Sequence, residues 1–377
     1  MSTAHGAAPQ RVWELLDHAA RLAESGRFRV EPNPLVGAVV LDAGGAVAGE
    51  GRHECYGGPH AEVAALAAAG ARARGGTLLV TLEPCTHEAK KTAPCAPAVI
   101  ASGVARVIAG ACDPNPATRG RAAALFARQA IAYEVVAHAP SAELLAPHER
   151  ALASDVPWTI AKWASSLDGC LADASGASRW ISGAASRDVV HELRARVEAV
   201  VVGSRTAAAD DPELTARGVA PALARPALRV VVDSRLSLPP SGRLATTARE
   251  TPVVVIGSTP LADEARRRAL EAAGVEVVLV AGQPDGRVDL REAWRALRVR
   301  GVRRMLLESG GVLGGAAASA GLIDQVLACV APMVLGGSAA PRVLGGEGFA
   351  LAAAPRLERT RVLRVGDDVH VEGYWPR

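Results

Sequence analysis

The strongest constraint on the fold is an alternation of short apolar runs with segments of helical spacing. TLLVTL (77–82) has the length and composition of a buried strand, whereas the Ala-rich segment 61–69 is typical of a helix. Strands that alternate with helices predict α/β domains. The pattern breaks around 148–157 and then resumes, and 377 residues are enough for two or three domains. We therefore expect two α/β domains, 1–150 and 151–377, the first with three layers.

The two halves supply separate series of predicted elements. In the first half, helices are expected over 10–24, 61–69, 94–102 and 121–130 and from about 141, and strands over 35–42, 77–82, 105–110 and 131–136, with a short strand after the turn at 44–45. In the second half, strands are expected over 158–164, 199–203, 228–234, 252–257, 275–280, 303–308 and 325–332, and helices over 184–196, 261–273, 289–298 and 312–320. No internal repeat relates the two series, so we expect two different domains.

Charge and composition exclude several classes of partner. The net charge is +3, from 42 basic and 39 acidic residues, and only 3% of the residues are aromatic. A nucleic-acid binder normally carries a concentrated basic face and aromatic side chains for base stacking, so we expect no nucleic-acid partner. No apolar run approaches the ~18 residues that span a membrane, and the N-terminal residues lack the apolar core of a signal peptide. The sequence thus predicts a soluble cytoplasmic protein that acts on small molecules.

Three residues of the first half have the side chains and the placement of a catalytic zinc site. His60 precedes a predicted helix, Cys85 follows a strand in the sequence TLEPC, and Cys95 begins another helix. Three nitrogen and sulfur ligands leave the fourth position of a tetrahedral Zn²⁺ open for water. Glu62 lies two residues beyond His60, where a carboxylate can take a proton from that water and pass it to a leaving amine. This arrangement predicts a zinc-dependent hydrolytic deaminase.

The same four residues allow three other interpretations, each of which fits them less well. A buried histidine with two unrelated cysteines would require His-x-Glu and two Pro-Cys pairs to coincide by chance. A non-catalytic zinc site normally has four protein ligands and has no use for Glu62. A nucleic-acid-editing deaminase usually carries Cys-x-x-Cys, whereas nine residues separate Cys85 from Cys95 here. A catalytic site for a small substrate is therefore the favoured interpretation.

Short motifs along the whole chain resemble those of one family. In the first half they are PNPLVGAVV (32–40), PHAEV (59–63), TLEPCTH (81–87), KTAPC (91–95) and DPNP (113–116). In the second half they are KWASSLDG (162–169), SRWIS (178–182), LRARVEAVVVG (193–203), ADDPELTAR (209–217), RVVVDS (229–234), LLESGG (306–311) and GLIDQVLACVAPMVLGG (321–337). Together they resemble the bifunctional riboflavin-biosynthesis deaminase–reductases. The chain departs from that family in a Cys85–Cys95 interval that is one residue longer than usual and in Ala122, where a glycine is common.

The resemblance implies two successive reactions and two known folds. The first domain would have the cytidine-deaminase fold and would hydrolyse the 2-amino group of 2,5-diamino-6-ribosylamino-4(3H)-pyrimidinone 5′-phosphate. The second would resemble dihydrofolate reductase and would use NADPH to reduce the ribosyl group to a ribityl chain. The implied cofactors are one Zn²⁺ and NADPH, and a homo-oligomer formed through the reductase domain is expected. The alternative is a zinc nucleobase or nucleoside deaminase whose C-terminal domain does not reduce.

Deaminase residues are carried over from the family motif by motif. The implied zinc ligands and proton donor are His60, Cys85, Cys95 and Glu62. The implied substrate contacts are Asn33, Lys91, Asp113 and Asn115, with His87 as a further candidate. Asn-Pro and Asp-Pro segments also form turns, so Asn33, Asp113 and Asn115 could equally well be turn residues without a substrate contact. Lys90 and Lys91 suit the substrate phosphate, because the chain contains three lysines against 39 arginines and each retained lysine is therefore notable.

Reductase residues are carried over in the same way. Lys162, the one lysine of the second half, is expected to be an active-site catalytic residue or, alternatively, to form a structural ion pair. The implied NADPH-binding residues are Ala164, Trp180, Thr206, Asp210, Ser234, Gly310, Gly311, Val312, Leu313, Gly314, Gly315 and Ala316. The implied substrate-binding residues are Ser178, Arg194, Leu214, Arg217 and Glu308. The glycine-rich segment follows a strand and begins a helix, which suits a cofactor phosphate, and the two arginines suit the substrate phosphate.

Overall fold

The structure is a computed structural model that describes residues 10–86, 93–219, 226–308 and 310–376. The chain divides into two units, Met1–Ser154 and Asp155–Arg377, each with a sheet of its own. Among the described residues, no helix combines the length and the apolar character needed to cross a membrane.

The described part of the first unit contains one mixed sheet. Its strands are β1 (Gly37–Leu41), β2 (Val47–Arg52), β3 (Thr77–Val80), β4 (Arg106–Ala109) and β5 (Ala132–Val135). Its helices are α1 (Gln10–Glu24), α2 (Ala61–Ala69), α3 (Cys95–Ser102), α4 (Arg121–Ala127), α5 (Ala139–Glu143) and α6 (Ala146–Ala153), with a 3₁₀ turn over Gly70–Ala73. The strand order is β2-β1-β3-β4-β5, in which β1 is antiparallel to both neighbours and β3, β4 and β5 are parallel.

Helices cover both faces of this sheet. Leu78 and Val80 of β3 belong to the core formed with α2, α3 and α4, whereas Leu79 between them packs with Leu16 of α1. The sheet is therefore the middle of three layers, which confirms the prediction. Gly51 of β2 lets α2 approach closely, because a β-carbon there would lie 2.3 Å from the helix backbone. This contact places the first turn of α2 firmly on the sheet.

The described part of the second unit contains a larger sheet. Its strands are β6 (Trp158–Ser165), β7 (Ala199–Gly203), β8 (Leu228–Val232), β9 (Val253–Ser258), β10 (Glu276–Val280), β11 (Arg304–Glu308), β12 (Gln325–Val330), β13 (Glu358–Val365) and β14 (Asp368–Tyr374). Its helices are α7 (Ala184–Arg194), α8 (Ser204–Asp210), α9 (Arg243–Thr246), α10 (Glu264–Ala272), α11 (Leu290–Val299) and α12 (Gly311–Ser319), with a 3₁₀ turn over Leu351–Ala353. The order is β10-β9-β8-β7-β11-β6-β12-β14-β13, parallel from β10 to β12 and antiparallel in the last two pairings.

The strand order predicts a ligand-binding edge in this sheet. From β7 the chain builds outward through β8 and β9 to β10, and it then returns to insert β11 between β7 and β6. Connections therefore change direction next to β11, and open α/β sheets bind ligands at the carboxyl ends of strands at such a point. Trp294 of α11 is fully buried against β6, where its indole N–H donates to Thr159. The central strands that carry this edge are thus tightly packed.

Polar and interrupted elements differ most from the sequence prediction. The predicted series ends at β12 and lacks the hairpin β13–β14, because β13 lies at the sheet edge and alternates exposed with half-buried residues instead of forming an apolar run. The short helices α8 and α9 are also missing from the prediction. The helix expected from about 141 is two helices, because Pro147 in the first turn of α6 cannot continue a helix from α5. The strand expected over 77–82 ends at Val80.

Candidate active sites

The three predicted metal ligands come together in the first unit. His60 immediately precedes α2, Cys85 lies in the extended segment after β3, and Cys95 is the first residue of α3. The Nδ1 or Nε2 of His60 and the Sγ atoms of the two buried cysteines lie within 4.8 Å of one another. Within residues 10–86, 93–219, 226–308 and 310–376, this is the one cluster of at least three His, Cys, Asp or Glu side chains suited to a metal.

The donor set and its spacing fit a zinc ion. His60 Nδ1 lies 3.6 Å from Cys85 Sγ and 2.9 Å from Cys95 Sγ. Bonds of about 2.0–2.3 Å to a tetrahedral zinc ion place neighbouring ligand atoms about 3.5 Å apart, so a small adjustment suffices. The backbone N–H of Cys95 donates to Cys85 Sγ over 3.3 Å, which favours the thiolate form of that cysteine. One imidazole nitrogen and two thiolates are ligands that zinc prefers.

Glu62 lies beside these ligands in the first turn of α2. It is 4% exposed, and burial raises the pKa of its carboxyl group, with the charge of His60 acting in the opposite direction. A hydrogen bond with Cys85 and burial raise the pKa of the Cys95 thiol. A cation bound between the ligands opposes that shift, because it favours the thiolate. Glu62 is therefore a buried carboxyl group that can hold a proton beside the three candidate metal ligands.

Asn33, a predicted substrate contact, is oriented by a buried histidine. The Nδ1 of His53 lies 2.8 Å from the carbonyl oxygen of Pro59, and its Nε2 lies 3.1 Å from Nδ2 of Asn33. A carbonyl oxygen accepts hydrogen bonds and cannot donate them, so Nδ1 of the neutral ring carries the proton and Nε2 accepts from the amide of Asn33. The amide nitrogen of Asn33 thus faces His53, and Oδ1 is the atom that this side chain can offer to a ligand.

The loop that contains Asp113 and Asn115 is held by Glu83. The buried carboxylate of Glu83 accepts hydrogen bonds from the backbone N–H groups of Asp113, Gly120 and Ala122 at 3.3, 3.1 and 3.4 Å. Asp113 Oδ1 in turn accepts from the backbone N–H of Asn115 at 2.8 Å, which closes an Asx turn. The turn-forming interpretation of this segment is therefore present in the structure, and contact of either side chain with a substrate stays a prediction.

Sequence reasoning missed the residues that support this pocket. Neither His53 nor Glu83 is among the predicted site residues. The position of Glu83, two residues before Cys85 in TLEPC, is a signal that could have found it, whereas nothing in the sequence pairs His53 with Asn33. The predicted contact Lys91, with Lys90 and His87, falls within 87–92, which lies outside the described residues.

Lys162 and Glu308 lie side by side in the second unit. They are register partners on β6 and β11, so their side chains leave the same face of the sheet. Glu308 accepts two hydrogen bonds from Arg194, with Nε–Oε1 at 2.5 Å and Nη2–Oε2 at 2.8 Å. Burial acts to raise the pKa of Glu308, but Arg194 and, more weakly, Lys162 lower it below its ordinary value. Glu308 is therefore held as a carboxylate next to Lys162.

Arg194 also contacts the loop that carries two further predicted substrate residues. Its Nη1 donates to the carbonyl oxygen of Thr215 at 3.0 Å. Leu214 is buried with a left-handed backbone (φ +56°), and Arg217 follows it on the surface. The structure thus brings four of the five predicted substrate residues to one place. Glu308 occupies the Nε–Nη2 edge of Arg194, and Arg217 Nη1 donates to Glu213 at 2.6 Å, so binding of a phosphate group by the two arginines stays a prediction.

Most of the predicted NADPH residues lie at the carboxyl ends of parallel strands. Ala164 is near the end of β6, Thr206 and Asp210 lie in α8 directly after β7, Ser234 follows β8, and residues 310–316 follow β11. Parallel strands end at the same edge of a sheet, so these distant segments of the chain share one edge. This is the edge at which the strand order predicts a ligand.

The glycine-rich segment 310–316 is partly committed to internal contacts. The backbone N–H of Gly311 lies 3.2 and 3.0 Å from the carbonyl oxygens of Arg342 and Val343. A β-carbon on Gly315 would lie 1.9 Å from the carbonyl oxygen of Gly345. Gly311 and Gly315 therefore serve the packing of α12 against a neighbouring loop. The prediction that this segment binds a phosphate depends on its other members.

Ser178 and Trp180, which are also predicted site residues, lie just before α7. Trp180 is 68% exposed, and the guanidinium carbon of Arg187 lies 4.6 Å from the centre of its ring. Arg179 donates to the carbonyl oxygen of Asp210 and so connects this segment to the end of α8. An exposed aromatic ring that is held against a cation suits a flat ligand, and contact of Trp180 with the cofactor stays a prediction.

Each unit matches a known family. Residues 10–111 match the cytidine and deoxycytidylate deaminase zinc-binding region. Residues 157–371 match the RibD C-terminal domain. The first match includes all three clustered ligands, and the second includes Lys162, Arg194 and Glu308.

Proteins that combine both domains are similar to almost the whole chain. The riboflavin biosynthesis protein RibD of Aquifex aeolicus is 34% identical over 352 residues, which cover 93% of this chain and 95% of the relative. The structure of Acinetobacter baumannii RibD, form 1, has a TM-score of 0.71 at 32% identity and covers 97% of this chain and 99% of that one. A Thermotoga maritima structure, described as a diaminohydroxyphosphoribosylaminopyrimidine deaminase/5-amino-6-(5-phosphoribosylamino)uracil reductase, has a TM-score of 0.69 at 29% identity and the same coverage, 97% and 99%. The chain therefore belongs to the RibD family of riboflavin-biosynthesis proteins and is a bifunctional enzyme with a deaminase domain and a reductase domain.

Proposed function

We propose that the first unit hydrolyses the 2-amino group of 2,5-diamino-6-ribosylamino-4(3H)-pyrimidinone 5′-phosphate at a zinc ion held by His60, Cys85 and Cys95. The observation that carries this proposal is the cluster of one nitrogen and two sulfur donors with the buried Glu62 beside it. The Thermotoga relative, which is described as a deaminase of a phosphoribosylated aminopyrimidine, supports the choice of substrate.

Glu62 moves the proton in the proposed deamination. His60, Cys85 and Cys95 would hold the zinc ion, which when bound would lower the pKa of a water to roughly 7 and provide a nucleophile at neutral pH. Glu62 accepts the proton of the attacking water, holds it in the buried pocket next to Cys95, and delivers it to the amine that leaves. Burial favours the protonated carboxyl group, which is the form that donates the proton.

Asn33, Asp113 and Asn115 orient the pyrimidine in this proposal. His53 directs Oδ1 of Asn33 toward a ligand, so Asn33 can accept a hydrogen bond from an amino or ring N–H group. Glu83 holds the loop of the other two residues in place through three backbone N–H groups. Lys91 is assigned to the substrate phosphate on the family motif alone.

We propose that the second unit, from about residue 151 onward, reduces the ribosyl group of the deaminated product with NADPH, which supplies the hydride. The chain has to hold the cofactor and the substrate together and exclude water. Lys162 donates a hydrogen bond to the ribose, and Glu308 holds it in place as a neighbouring carboxylate. The residues that would hold NADPH are Ala164, residues 206–210, Ser234 and the start of α12, which share one edge of the sheet, together with the exposed Trp180.

A deaminase with a non-reducing second half is not favoured. Lys162, Glu308 and Arg194 form one connected group, and the second unit matches the RibD C-terminal domain over most of its length.

We also propose that two copies associate through the reductase unit, because β13 is the last strand of its sheet and exposes 65% of Val362. A reducing cytoplasm is the proposed compartment, because two of the six widely spaced cysteines are the proposed zinc ligands and the spacing of the others suits core positions better than disulfides.

Two assays on the purified protein test the halves separately. Ammonia release from the diaminopyrimidinone substrate without NADPH tests the first unit, with the zinc content of the same sample measured in parallel. NADPH oxidation on the purified deaminated product tests the second unit without any contribution from the first. Ammonia without NADPH oxidation would refute the reductase assignment, and zinc-loaded protein that releases no ammonia would refute the deaminase substrate.

A further inference from the structure

The last turn of α7 forms two hydrogen bonds with the backbone of the loop over 214–217. Arg194 donates to the carbonyl oxygen of Thr215 at 3.0 Å, and the backbone N–H of Arg217 lies 3.2 Å from Nδ1 of His191. His191 and Arg194 are three residues apart and so lie on the same face of the helix. The helix therefore holds the loop over 214–217 through two hydrogen bonds, one accepted by His191 and one donated by Arg194.

This loop needs such support because its backbone is strained. Leu214 has a φ of +56°, a left-handed conformation that a branched residue rarely adopts. Conformations of this kind persist where surrounding contacts hold them. Leu214 and Arg217 are the two residues of the loop that the family resemblance implies as substrate contacts.

The hydrogen bond determines the protonation state of His191. A backbone N–H can only donate, so Nδ1 must carry a lone pair and the ring must be neutral. The charged groups that face the ring are Arg194 on its own helix, Arg217 on the loop and Glu308 on β11. Burial, followed by the two arginines, lowers the pKa of His191, which supports the neutral ring.

We propose that His191 is a positioning residue of the reductase, whose unprotonated Nδ1 holds the backbone N–H of Arg217 and thereby places the loop over 214–217 at the substrate phosphate. The inference rests on the proposed reductase function. It assigns His191 no contact with the reacting atoms, so its loss changes substrate binding and leaves the chemistry of hydride transfer intact.

Two substitutions distinguish the role of the hydrogen-bond acceptor of His191 from the role of its ring in packing. His191→Phe keeps a planar ring and removes the acceptor, whereas in His191→Asn the Oδ1 atom is the same number of bonds from the backbone as Nδ1 and can accept in its place. Glu192→Ala, at the next and exposed position of α7, is the matched control. We expect His191→Phe to raise the KM of the reductase for the deaminated substrate about three- to tenfold, the value of one hydrogen bond. The kcat and the KM for NADPH should stay within twofold, and His191→Asn should restore the substrate KM.

The pH profile provides a second readout. Protonated His191 cannot accept the N–H of Arg217, so the wild-type substrate KM should rise as the pH falls below the lowered pKa of His191. The substrate phosphate titrates near pH 6 in every variant, so the relevant quantity is the ratio of KM values between wild type and His191→Asn. That ratio should rise toward acid pH, and a ratio independent of pH would contradict the proposal.

Hydrogen exchange at the Arg217 amide tests the contact without any turnover. Protection of this amide should fall in His191→Phe and return in His191→Asn. An unchanged amide and an unchanged substrate KM in His191→Phe would overturn the inference while leaving the reductase function standing. Equal losses in both variants, or an equal loss of kcat and of NADPH affinity, would show a merely structural ring and would also overturn it. Wild-type protein that does not oxidise NADPH would refute the reductase function and this inference together.

Discussion

The two units place their reactive groups in different ways. In the first, three ligand side chains from separate segments converge within 4.8 Å, and a buried carboxyl group lies beside them. In the second, the predicted residues are spread along one edge of a parallel sheet, with Arg194 and Glu308 as a tightly bonded pair. Hydrolysis requires particular atoms at one point, whereas hydride transfer requires a surface that holds a cofactor which brings its own chemistry. We therefore expect abrupt losses on substitution in the first unit and graded losses in the second.

The largest effect is expected at Glu62. Glu62→Gln keeps the shape of the side chain and removes proton transfer, so ammonia release should fall about 10³-fold. Zinc content and NADPH oxidation on the deaminated product should not change, and they serve as controls within the same protein. If ammonia release in zinc-loaded Glu62→Gln fell less than tenfold, substitutions in the first unit would not cause the larger losses that the comparison of the two units predicts.

The next effect is on the stability of the second unit. Arg194→Met leaves the carboxylate of Glu308 largely buried without its partner, so the free energy of unfolding of this unit should fall by about 2–4 kcal/mol. Urea unfolding followed by a signal from the second unit measures this change. Arg194→Met combined with Glu308→Leu is the matched control and should recover most of the loss, because it removes both charges. An unchanged free energy of unfolding in Arg194→Met would mean that the Arg194–Glu308 pair does not stabilise the fold.

The Arg194–Glu308 pair also predicts a pH dependence of known sign. Arg194 lowers the pKa of Glu308 in the folded protein below its ordinary value of 4.5. The pair therefore stabilises the fold fully above that value, and the contribution is lost as the pH falls through the lower pKa of the folded state. The difference in unfolding free energy between wild type and Arg194→Met should shrink as the pH falls, first as Glu308 is protonated in folded Arg194→Met, where burial is no longer opposed by Arg194, and finally as it is protonated in the folded wild type. A difference that grows in acid would contradict this sign.

Lys162 is expected to show a purely catalytic effect. Lys162→Met removes the ammonium group beside Glu308 and should slow NADPH oxidation about 10²-fold. Ammonia release should stay at the wild-type rate. Lys162→Arg keeps the charge but not the compact ammonium group, and an intermediate rate is expected. If Lys162→Met oxidised NADPH normally, the residue would be a structural cation and no part of the reductase site.

The smallest effect is expected at the close contact of α12. A β-carbon at Gly315 meets the carbonyl oxygen of Gly345 at 1.9 Å, so Gly315→Ala must displace the start of the helix or the loop. Shifts of this kind cost about 1–3 kcal/mol, and the KM for NADPH should rise up to about tenfold. Ser319→Ala, at the exposed end of the same helix, is the control. An unchanged KM would place the cofactor phosphate away from α12.

Residues that must have one particular side chain could be predicted from the sequence. Residues that act by orienting another side chain could not. His60, Cys85 and Cys95 could be found because a zinc site requires these side chains, and the structure brings them together. His53 could not, because an imidazole between Pro59 and Asn33 leaves no pattern along the chain.

The same division holds for the second unit. Its buried strands β6, β7 and β11 follow from apolar runs, whereas the polar edge hairpin β13–β14 does not. The match of Arg194 to a substrate contact could be carried over from a motif. Its bidentate contact with Glu308, more than 100 residues away, depends on strand order, which local spacing does not encode.

The most direct test of the account is one reaction that contains the diaminopyrimidinone substrate, NADPH and the zinc-loaded enzyme, with ammonia and NADPH followed separately over time. We predict that ammonia appears first and that NADPH oxidation follows with a lag, ending at one NADPH per ammonia. In Glu62→Gln both signals should disappear, whereas in Lys162→Met ammonia should appear at the wild-type rate while NADPH oxidation is slow. NADPH oxidation that proceeds normally in Glu62→Gln would contradict the central claim that the second unit acts on the product of the first.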